Sequence, residues 1–196
     1  MNEGYIKFNC QLQEYNSGLS DENYLVLNKW RNKLYHLGLI GCYPGDIGFG
    51  NISIRSGSGF IITGSATGCR ERLTKDDYTR IDHYDFRKNE IHCTGRIKAS
   101  SESLTHAAVY EARPGTMAVI HIHSLVLWEK YKGIMPTSPD TAEYGTSEIA
   151  LAVRNLCLNN NIKGDEVIIM GGHKEGIIAF GNDLEAAGSK ILGMLI

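Results

Sequence analysis

Two histidines separated by one residue, His121-Ile122-His123, give the strongest chemical signal in the sequence. They follow the apolar run Ala118-Val119-Ile120, which predicts a buried strand. Side chains two residues apart on a strand face the same side, so both imidazoles would enter one space. Two neutral imidazoles are half of a zinc-type site. The pair alone favours a metal only slightly over two solvated histidines, because such a site needs a third ligand.

His173 is the candidate third ligand. It follows an apolar stretch at 167–170 and lies in the glycine-flanked segment Gly171-Gly172-His173-Lys174-Glu175-Gly176. A histidine between glycines at a strand end is typical of close backbone approach to a site, although an ordinary loop histidine fits this pattern equally well. The remaining histidines are interpreted as structural or surface residues: His36, His83, His92 and His106.

Glu102 is the candidate proton carrier. It ends the run Lys98-Ala99-Ser100-Ser101-Glu102 at the start of a predicted helix. Serine caps and an early acid that complements the helix dipole explain this run, and the residues alone favour that explanation by roughly two to one. A catalytic role becomes the better explanation if Glu102 lies near a metal held by three histidines, where a carboxylate can move protons.

Two glycine-containing segments could hold an anion. They are Gly48-Phe49-Gly50-Asn51 and the segment Thr63-Gly64-Ser65-Ala66-Thr67-Gly68. Backbone amides of such turns, together with Thr, Ser and Asn side chains, can form a phosphate cradle, although most glycine turns are only turns. Neither segment matches the glycine patterns of nucleotide-binding loops, so nucleotide binding is not indicated.

Apolar periodicity predicts the elements that must position these groups. The predicted elements are a helix after residue 20, hairpins at 51–63 and 78–94, helices at 100–112 and 147–159, strands at 118–123, 166–170 and 176–180, and a helix from 183 to 195. The first 18 or so residues are predicted to be irregular. The order lacks regular βαβ alternation. It predicts an α/β fold, a three-layer α/β/α sandwich with a mostly antiparallel central sheet, in one domain spanning 1–196.

Composition excludes several classes of protein. Twenty basic and 22 acidic residues give a net charge of −2, which argues against a nucleic-acid partner. No apolar run approaches the ~18 residues of a membrane span, and the N-terminus does not resemble a signal peptide. The five cysteines are Cys10, Cys42, Cys69, Cys93 and Cys157. They are odd in number and contain no C-x-x-C pair, so free thiols and a cytoplasmic location are expected.

Taken together, these residues resemble the class II aldolase/adducin family from about Leu25 to the C-terminus. The motifs that carry the resemblance are Gly50-Asn51-Ile52-Ser53, Ile62-Thr63-Gly64, Ser100-Ser101-Glu102 with His106 and Tyr110, Arg113-Pro114, Ala118-Val119-Ile120-His121-Ile122-His123-Ser124, and the late His173.

The resemblance is to sugar-phosphate aldolases of the fuculose-phosphate type, and it implies a role for each matching residue. His121, His123 and His173 would bind a divalent metal, usually Zn²⁺, with Mn²⁺, Co²⁺ or Fe²⁺ as alternatives. Glu102 would be the catalytic acid/base. The substrate phosphate would contact the segments that contain Gly50, Asn51, Thr63, Gly64, Ser100 and Ser101. Family members are typically homotetramers with active sites at subunit interfaces.

The implied function is retro-aldol cleavage of a short sugar phosphate through a zinc-stabilised enediolate. One alternative is a dehydratase acting on a methylthio- or deoxy-ribulose phosphate, and another is a non-catalytic adducin-like interaction domain. Pentose-phosphate 4-epimerases are less favoured because they carry aspartate where this chain has Glu102. The chain has no clear counterpart of the family's proton-donating tyrosine. Tyr131 and Tyr144 are the available replacements, although packing roles are the simpler interpretation of both.

Overall fold

The computed structural model describes residues 6–159 and 167–196, in which strands and helices are interspersed. The strands are β1 (Asn9–Glu14), β2 (Gly41–Tyr43), β3 (Ile47–Phe49), β4 (Asn51–Ser56), β5 (Gly59–Thr63), β6 (Tyr78–Asp85), β7 (Glu90–Gly95), β8 (Ala118–His123), β9 (Val167–Ile169) and β10 (Gly176–Gly181). The helices are α1 (Asp21–His36), α2 (Ser103–Ala112), α3 (Leu125–Tyr131), α4 (Ser147–Leu158) and α5 (Leu184–Met194), with a 3₁₀ turn at Lys75–Asp77.

One eight-stranded sheet in the order β1-β7-β6-β5-β4-β8-β10-β9 organises the chain. The β1–β7 pair is parallel, and every other neighbouring pair of this sheet in the described ranges is antiparallel. Strands β2 and β3 form a separate hairpin. The predicted α/β class and the mostly antiparallel sheet are therefore confirmed.

Alternating side chains of the sheet enter two apolar clusters on opposite faces. Ile52, Ile61 and Ile120 pack with residues of α1 and α5. Phe60, Ile62 and Val119 pack with residues of α2 and α4. Helices thus cover both faces, which explains why β8 and β10 are buried along their whole lengths.

Local signals located most elements correctly. The Ser20 hydroxyl accepts a hydrogen bond from the Asn23 N–H at the start of α1, and the Asp183 carboxylate accepts one from the Ala186 N–H at the start of α5. Both predicted hairpins are present, as β4–β5 and β6–β7. The β2–β3 hairpin and α3 were not predicted, and Glu166, which the sequence places at the start of a strand, lies outside the described residues.

The prediction of an irregular N-terminus is wrong for residues 9–14. They form β1, in which Asn9 pairs with Glu90 and Glu14 with Gly95. Only Cys10 and Leu12 of this strand pack against the core, so the apolar alternation is short. The partner strand lies about eighty positions further along the chain, and such distant pairing leaves no local signal. Residues 1–5 lie outside the described part of the chain, and the single-domain assignment of 1–196 stays a prediction.

The expectation of five free thiols is wrong for two of them. Cys42 and Cys69 form a disulfide that joins β2 to the loop after β5. Cys10, Cys93 and Cys157 are free. An odd number of cysteines does not prevent one pair from forming, and a separation of 27 residues carries no recognisable motif. The cytoplasmic location loses the support that free thiols gave it and stays a prediction.

Within residues 6–159 and 167–196, no helix combines the length and apolar character that crossing a membrane requires.

Replacing both Cys42 and Cys69 with serine should lower the free energy of unfolding by about 3–4 kcal/mol. The reason is that the 27-residue separation restricts the unfolded chain while the bond is intact. Urea unfolding at equilibrium measures the loss. A reductant should weaken the wild type by a similar amount and leave the double variant unchanged. Titration of all five thiols in denatured protein without reductant would contradict the disulfide.

Candidate metal centre and cleft

Strand β8 brings two of the three predicted ligands together at its carboxyl end. His121 and His123 lie on the same face as Val119, the face covered by α2 and α4. Their Nε2 atoms are 3.0 Å apart. Both side chains are buried, with at most 4% of their surface exposed. The local alternation of the sequence therefore predicted their shared orientation correctly.

His173 joins this pair from the turn between β9 and β10. The His173 N–H donates to the Met170 carbonyl, and the Gly176 N–H donates to the His173 carbonyl, so the turn is closed by its own backbone. The His173 ring centre lies 5.1 Å from that of His121 and 4.7 Å from that of His123. One ligand atom from each of the three histidines lies within 4.8 Å of the others.

Burial keeps His121 and His123 in the neutral form that binds metals. It lowers the pKa values of His121 and His123 well below that of a solvated imidazole, and charge repulsion from neighbouring histidines lowers them further. The Nδ1 atom of His121 lies 3.2 Å from the Ile177 carbonyl oxygen. A carbonyl accepts only, so Nδ1 carries the proton and Nε2 keeps its lone pair. The arrangement can bind a cation that prefers nitrogen ligands.

Glu102 lies immediately before α2 with its carboxylate directed into the protein. It is 2% exposed, and its Oε2 accepts a hydrogen bond from the Thr105 hydroxyl at 2.7 Å. Oε1 accepts the Gly145 N–H at 3.1 Å and lies 3.7 Å from the Nδ1 atom of His173. The Glu102 side chain makes no capping hydrogen bond to α2. The dipole explanation of Glu102 is therefore incomplete, because the carboxylate contacts the histidine cluster instead.

A cleft with an empty volume of about 430 Å³, including space open to solvent, lies above these groups. Of the predicted site residues, it is lined by Gly50, Asn51, Gly64, Ser100, Ser101, Glu102, His121, His123 and His173. Thr63 does not line it. The Thr63 hydroxyl instead accepts the Ile52 N–H at 3.2 Å, which ties β5 to β4.

The anion-type segments form one wall of the cleft. Asn51 pairs with His121 across β4 and β8, and its buried Oδ1 has no hydrogen-bond partner among the residues that the structure describes. Gly50 has a φ of +74° and approaches Ile40 so closely that a Cβ there would lie 2.7 Å from the Ile40 side chain. Gly48 and the 65–68 part of the second loop line the same wall.

Arg31 supports the second loop from inside the protein. This α1 residue is 1% exposed, and its guanidinium donates to the carbonyls of Thr67, Gly68 and Glu71. In a trans peptide, the C=O of one residue and the N–H of the next point in opposite directions. The Gly68 N–H, which follows the Thr67 carbonyl, therefore points away from Arg31. Sequence reasoning missed this support because a lone arginine in a helix has no distinctive pattern.

The two tyrosines considered as replacements differ in position. Tyr144 lines the cleft, and its ring centre lies 4.8 Å from that of His173. The ammonium of Lys7 lies 3.7 Å from the centre of the Tyr144 ring. Tyr131 packs against the α1–α5 cluster and does not line the cleft.

His106 serves the structure, as expected. Its Nδ1 lies 2.7 Å from the Ser53 hydroxyl, which also contacts the Tyr110 hydroxyl at 2.9 Å. Complete burial lowers the pKa of His106 to about 3. The residue is therefore a neutral hydrogen-bonding group that links α2 to β4.

Solved structures that resemble this chain include proteins described as aldolases. L-fuculose-1-phosphate aldolase from Thermus thermophilus aligns with a TM-score of 0.63 and 20% identity, covering 87% of this chain and 88% of that chain. A sugar-phosphate aldolase from Thermotoga maritima aligns with a TM-score of 0.61 and 16% identity, covering 86% and 88%. The N-terminal class II aldolase domain of a Thermoplasma acidophilum protein aligns with a TM-score of 0.54 and 12% identity, covering 93% and 92%. These identities show the fold alone.

A search of curated protein sequences found no match. The sequence profile described as Class II Aldolase and Adducin N-terminal domain, in contrast, matches residues 34–193. This chain therefore belongs to the class II aldolase and adducin family.

Proposed function

We propose that this protein is a metal-dependent lyase that cleaves a short sugar phosphate into a three-carbon ketose phosphate and an aldehyde. The observation that carries the proposal is that a candidate cation site lies next to a candidate proton carrier. Three buried imidazoles converge within 4.8 Å, and the buried carboxylate of Glu102 lies 3.7 Å from one of them. Such a combination of a cation site and a proton carrier suits carbon–carbon cleavage next to a carbonyl.

His121, His123 and His173 would hold the cation. Three neutral nitrogen donors suit Zn²⁺ in a catalytic site with an open position, and Mn²⁺, Co²⁺ or Fe²⁺ are alternatives. When bound, the cation supplies Lewis-acid stabilisation of the negative charge that develops on the substrate oxygens. The lowered pKa values of His121 and His123 favour this role, because protons then compete weakly for the ligand atoms.

Glu102 would hold and move the proton. The Thr105 hydroxyl and the Gly145 N–H fix the two carboxylate oxygens, so the group is oriented before substrate arrives. Its low exposure of 2% would limit the contact of that proton with bulk water. Tyr144, which lines the cleft beside His173, would take the proton from the substrate hydroxyl that becomes the aldehyde carbonyl, and Glu102 would return a proton to the carbon released from the broken bond.

The phosphate would lie against the wall formed by Gly50, Asn51, Gly64, Ser100 and Ser101. The unpartnered Asn51 Oδ1 or, with the amide turned, its NH₂ group can contact an incoming ligand, and the serine hydroxyls add donors. The Thr63 hydroxyl is committed to the Ile52 N–H and would act through the position of the strand. The bound phosphate would orient the substrate and take no part in breaking the carbon–carbon bond.

The proposal extends to architecture and assembly. It includes one domain with a three-layer α/β/α arrangement, which the helices on both faces of the sheet support. It also includes the homotetramer that the family resemblance implies. A non-catalytic interaction domain is disfavoured because the chain retains all three histidines and buries them together.

The first expected result concerns metal content. Purified wild-type protein dialysed against trace zinc should retain about one ion per chain, whereas His121→Ala should retain almost none, because two histidines bind zinc far more weakly than three. Plasma emission spectrometry measures the content. His36→Ala, which changes an exposed histidine of α1, is the matched control and should bind as the wild type does. Stoichiometric zinc in a His121→Ala, His123→Ala double variant would contradict the site.

The second expected result concerns turnover on a panel of ketose 1-phosphates. The zinc-loaded wild type should release a three-carbon ketose phosphate, and Glu102→Gln should lower kcat by ~10²–10⁴ while keeping fold and zinc, because an amide cannot exchange the proton. Coupled assays of both products measure the rate, and a parallel assay for water loss detects the dehydratase alternative.

Glu111→Gln is the matched control for this variant. It changes an acid near the end of α2 that pairs with Arg154 on the surface, and it should leave kcat unchanged. If Glu102 only complemented the helix dipole, Glu102→Gln would cost about 0.3–1 kcal/mol of stability and no activity. Wild-type turnover in the folded, zinc-loaded Glu102→Gln protein would therefore refute the assigned role.

A further inference from the structure

A chain of hydrogen bonds runs from His123 to a second carboxylate, that of Glu175. The Nδ1 atom of His123 lies 2.9 Å from the Tyr43 hydroxyl, and that hydroxyl donates to the Glu175 carboxylate. Tyr43 ends β2, and Glu175 lies in the turn between His173 and β10. Both residues are only partly buried, whereas His123, to which they connect, is buried.

The direction of the chain follows from which groups can donate. A carboxylate only accepts, so the Tyr43 O–H points to Glu175. The Tyr43 oxygen then offers its lone pairs to His123 and accepts the Nδ1–H. An imidazole that carries its proton on Nδ1 keeps a free lone pair on Nε2. The Nε2 atom of His123 lies 3.0 Å from the Nε2 atom of His121, so with both imidazoles protonated on Nδ1 two lone pairs face one another, as they would around one shared cation.

We propose that Glu175 and Tyr43 are positioning residues that hold His123 in the tautomer whose Nε2 binds the metal, and so set the metal affinity. The inference rests on the three-histidine metal site proposed above. Outer hydrogen bonds to ligating histidines commonly fix the tautomer and raise metal affinity. Here the acceptor is a tyrosine hydroxyl that a carboxylate has in turn oriented.

The backbone at Glu175 supports a role for its side chain. Its φ is +74°, a left-handed conformation that is uncommon for any residue except glycine. The Glu175 carbonyl accepts the Ser124 N–H at 2.9 Å, and the next residue, Gly176, pairs with His123 across the two strands. Glutamate therefore occupies a backbone conformation that suits glycine, and it does so next to β8, the strand that carries His121 and His123.

Packing and hydrogen bonding have separable effects on His123. The Phe49 ring stacks on the imidazole with centres 5.2 Å apart and an angle of 21°, so apolar contact already limits the ring plane. Stacking does not distinguish the two ring nitrogens. The Tyr43 hydroxyl does distinguish them, because its hydrogen bond is to Nδ1. His121 differs, since its Nδ1 is held by the backbone carbonyl of Ile177, which no side-chain substitution removes.

The decisive experiment measures zinc affinity in Tyr43→Phe, Glu175→Gln and the double variant by competition with a chromophoric chelator. Tyr43→Phe should weaken binding ~10–100-fold, the usual effect of losing such a partner. Glu175→Gln should weaken it less, because the amide oxygen can still accept from Tyr43. The double variant should be no weaker than Tyr43→Phe, because Glu175 acts through Tyr43.

Tyr24→Phe is the matched control for the hydroxyl. It removes a tyrosine hydrogen bond to the Leu73 carbonyl, away from the cleft, and should change zinc affinity less than twofold. Glu90→Gln on β7 is the corresponding control for the carboxylate. Thermal melting of each metal-free variant establishes that it folds.

Nitrogen-15 spectra of the metal-free protein provide a readout that a purely structural role would not change. The wild type should show His123 protonated on Nδ1, and Tyr43→Phe should show a mixture of tautomers. Unchanged zinc affinity and an unchanged tautomer in folded Tyr43→Phe would overturn the inference. A wild type that binds no zinc but shows this tautomer change would instead refute the metal site and support the orientation of His123 by Tyr43.

Discussion

The pairing of β8 with β4 and β10 is the constraint on which the site depends. Its register places Asn51 on one side of His121 and Ile178 on the other, and it places Gly176 opposite His123. A slip of one residue would turn both imidazoles to the α1–α5 face. The apolar neighbours on β8 prevent such a slip, because Val119 belongs in one cluster while Ile120 and Ile122 belong in the other.

The same burial that fixes the register determines the chemistry of the histidines. An imidazole surrounded by apolar residues loses the hydration that would stabilise its charge, so it stays neutral and can act as a metal ligand. His106 is also buried but does not belong to the three-histidine cluster. It is a neutral hydrogen-bond partner of Ser53. His121 and His123 differ from it chiefly in having a third imidazole beside them.

Local patterns in the sequence were enough to predict the central part of the fold and the convergence of His121 with His123. Strand alternation and helix caps act over a few residues, so they can be recognised in one sequence. Contacts that join distant segments left no such signal. Strand β1, the Cys42–Cys69 bond, the support of the loop by Arg31 and the approach of Tyr43 to His123 all belong to this second class. Thr63 differs from these contacts. The sequence placed it correctly at the end of a hairpin, but the hydrogen bond of its hydroxyl to the Ile52 N–H depends on how β5 pairs with β4.

The groups around the cleft are held in two physically different ways. The backbone holds His121 through the Ile177 carbonyl and Glu102 through the Gly145 N–H, so these orientations follow from the fold itself. Side chains hold His123 and the second anion-type loop, through Tyr43 and Arg31. Because preorganised groups need little rearrangement when charge develops, both kinds of support would favour the proposed reaction. Only the second kind can change by substitution while the sheet stays intact. Variation in affinity for the proposed metal and in the geometry of the second anion-type loop, at a constant fold, should therefore arise at β2, α1 and the turn before β10, rather than within β8.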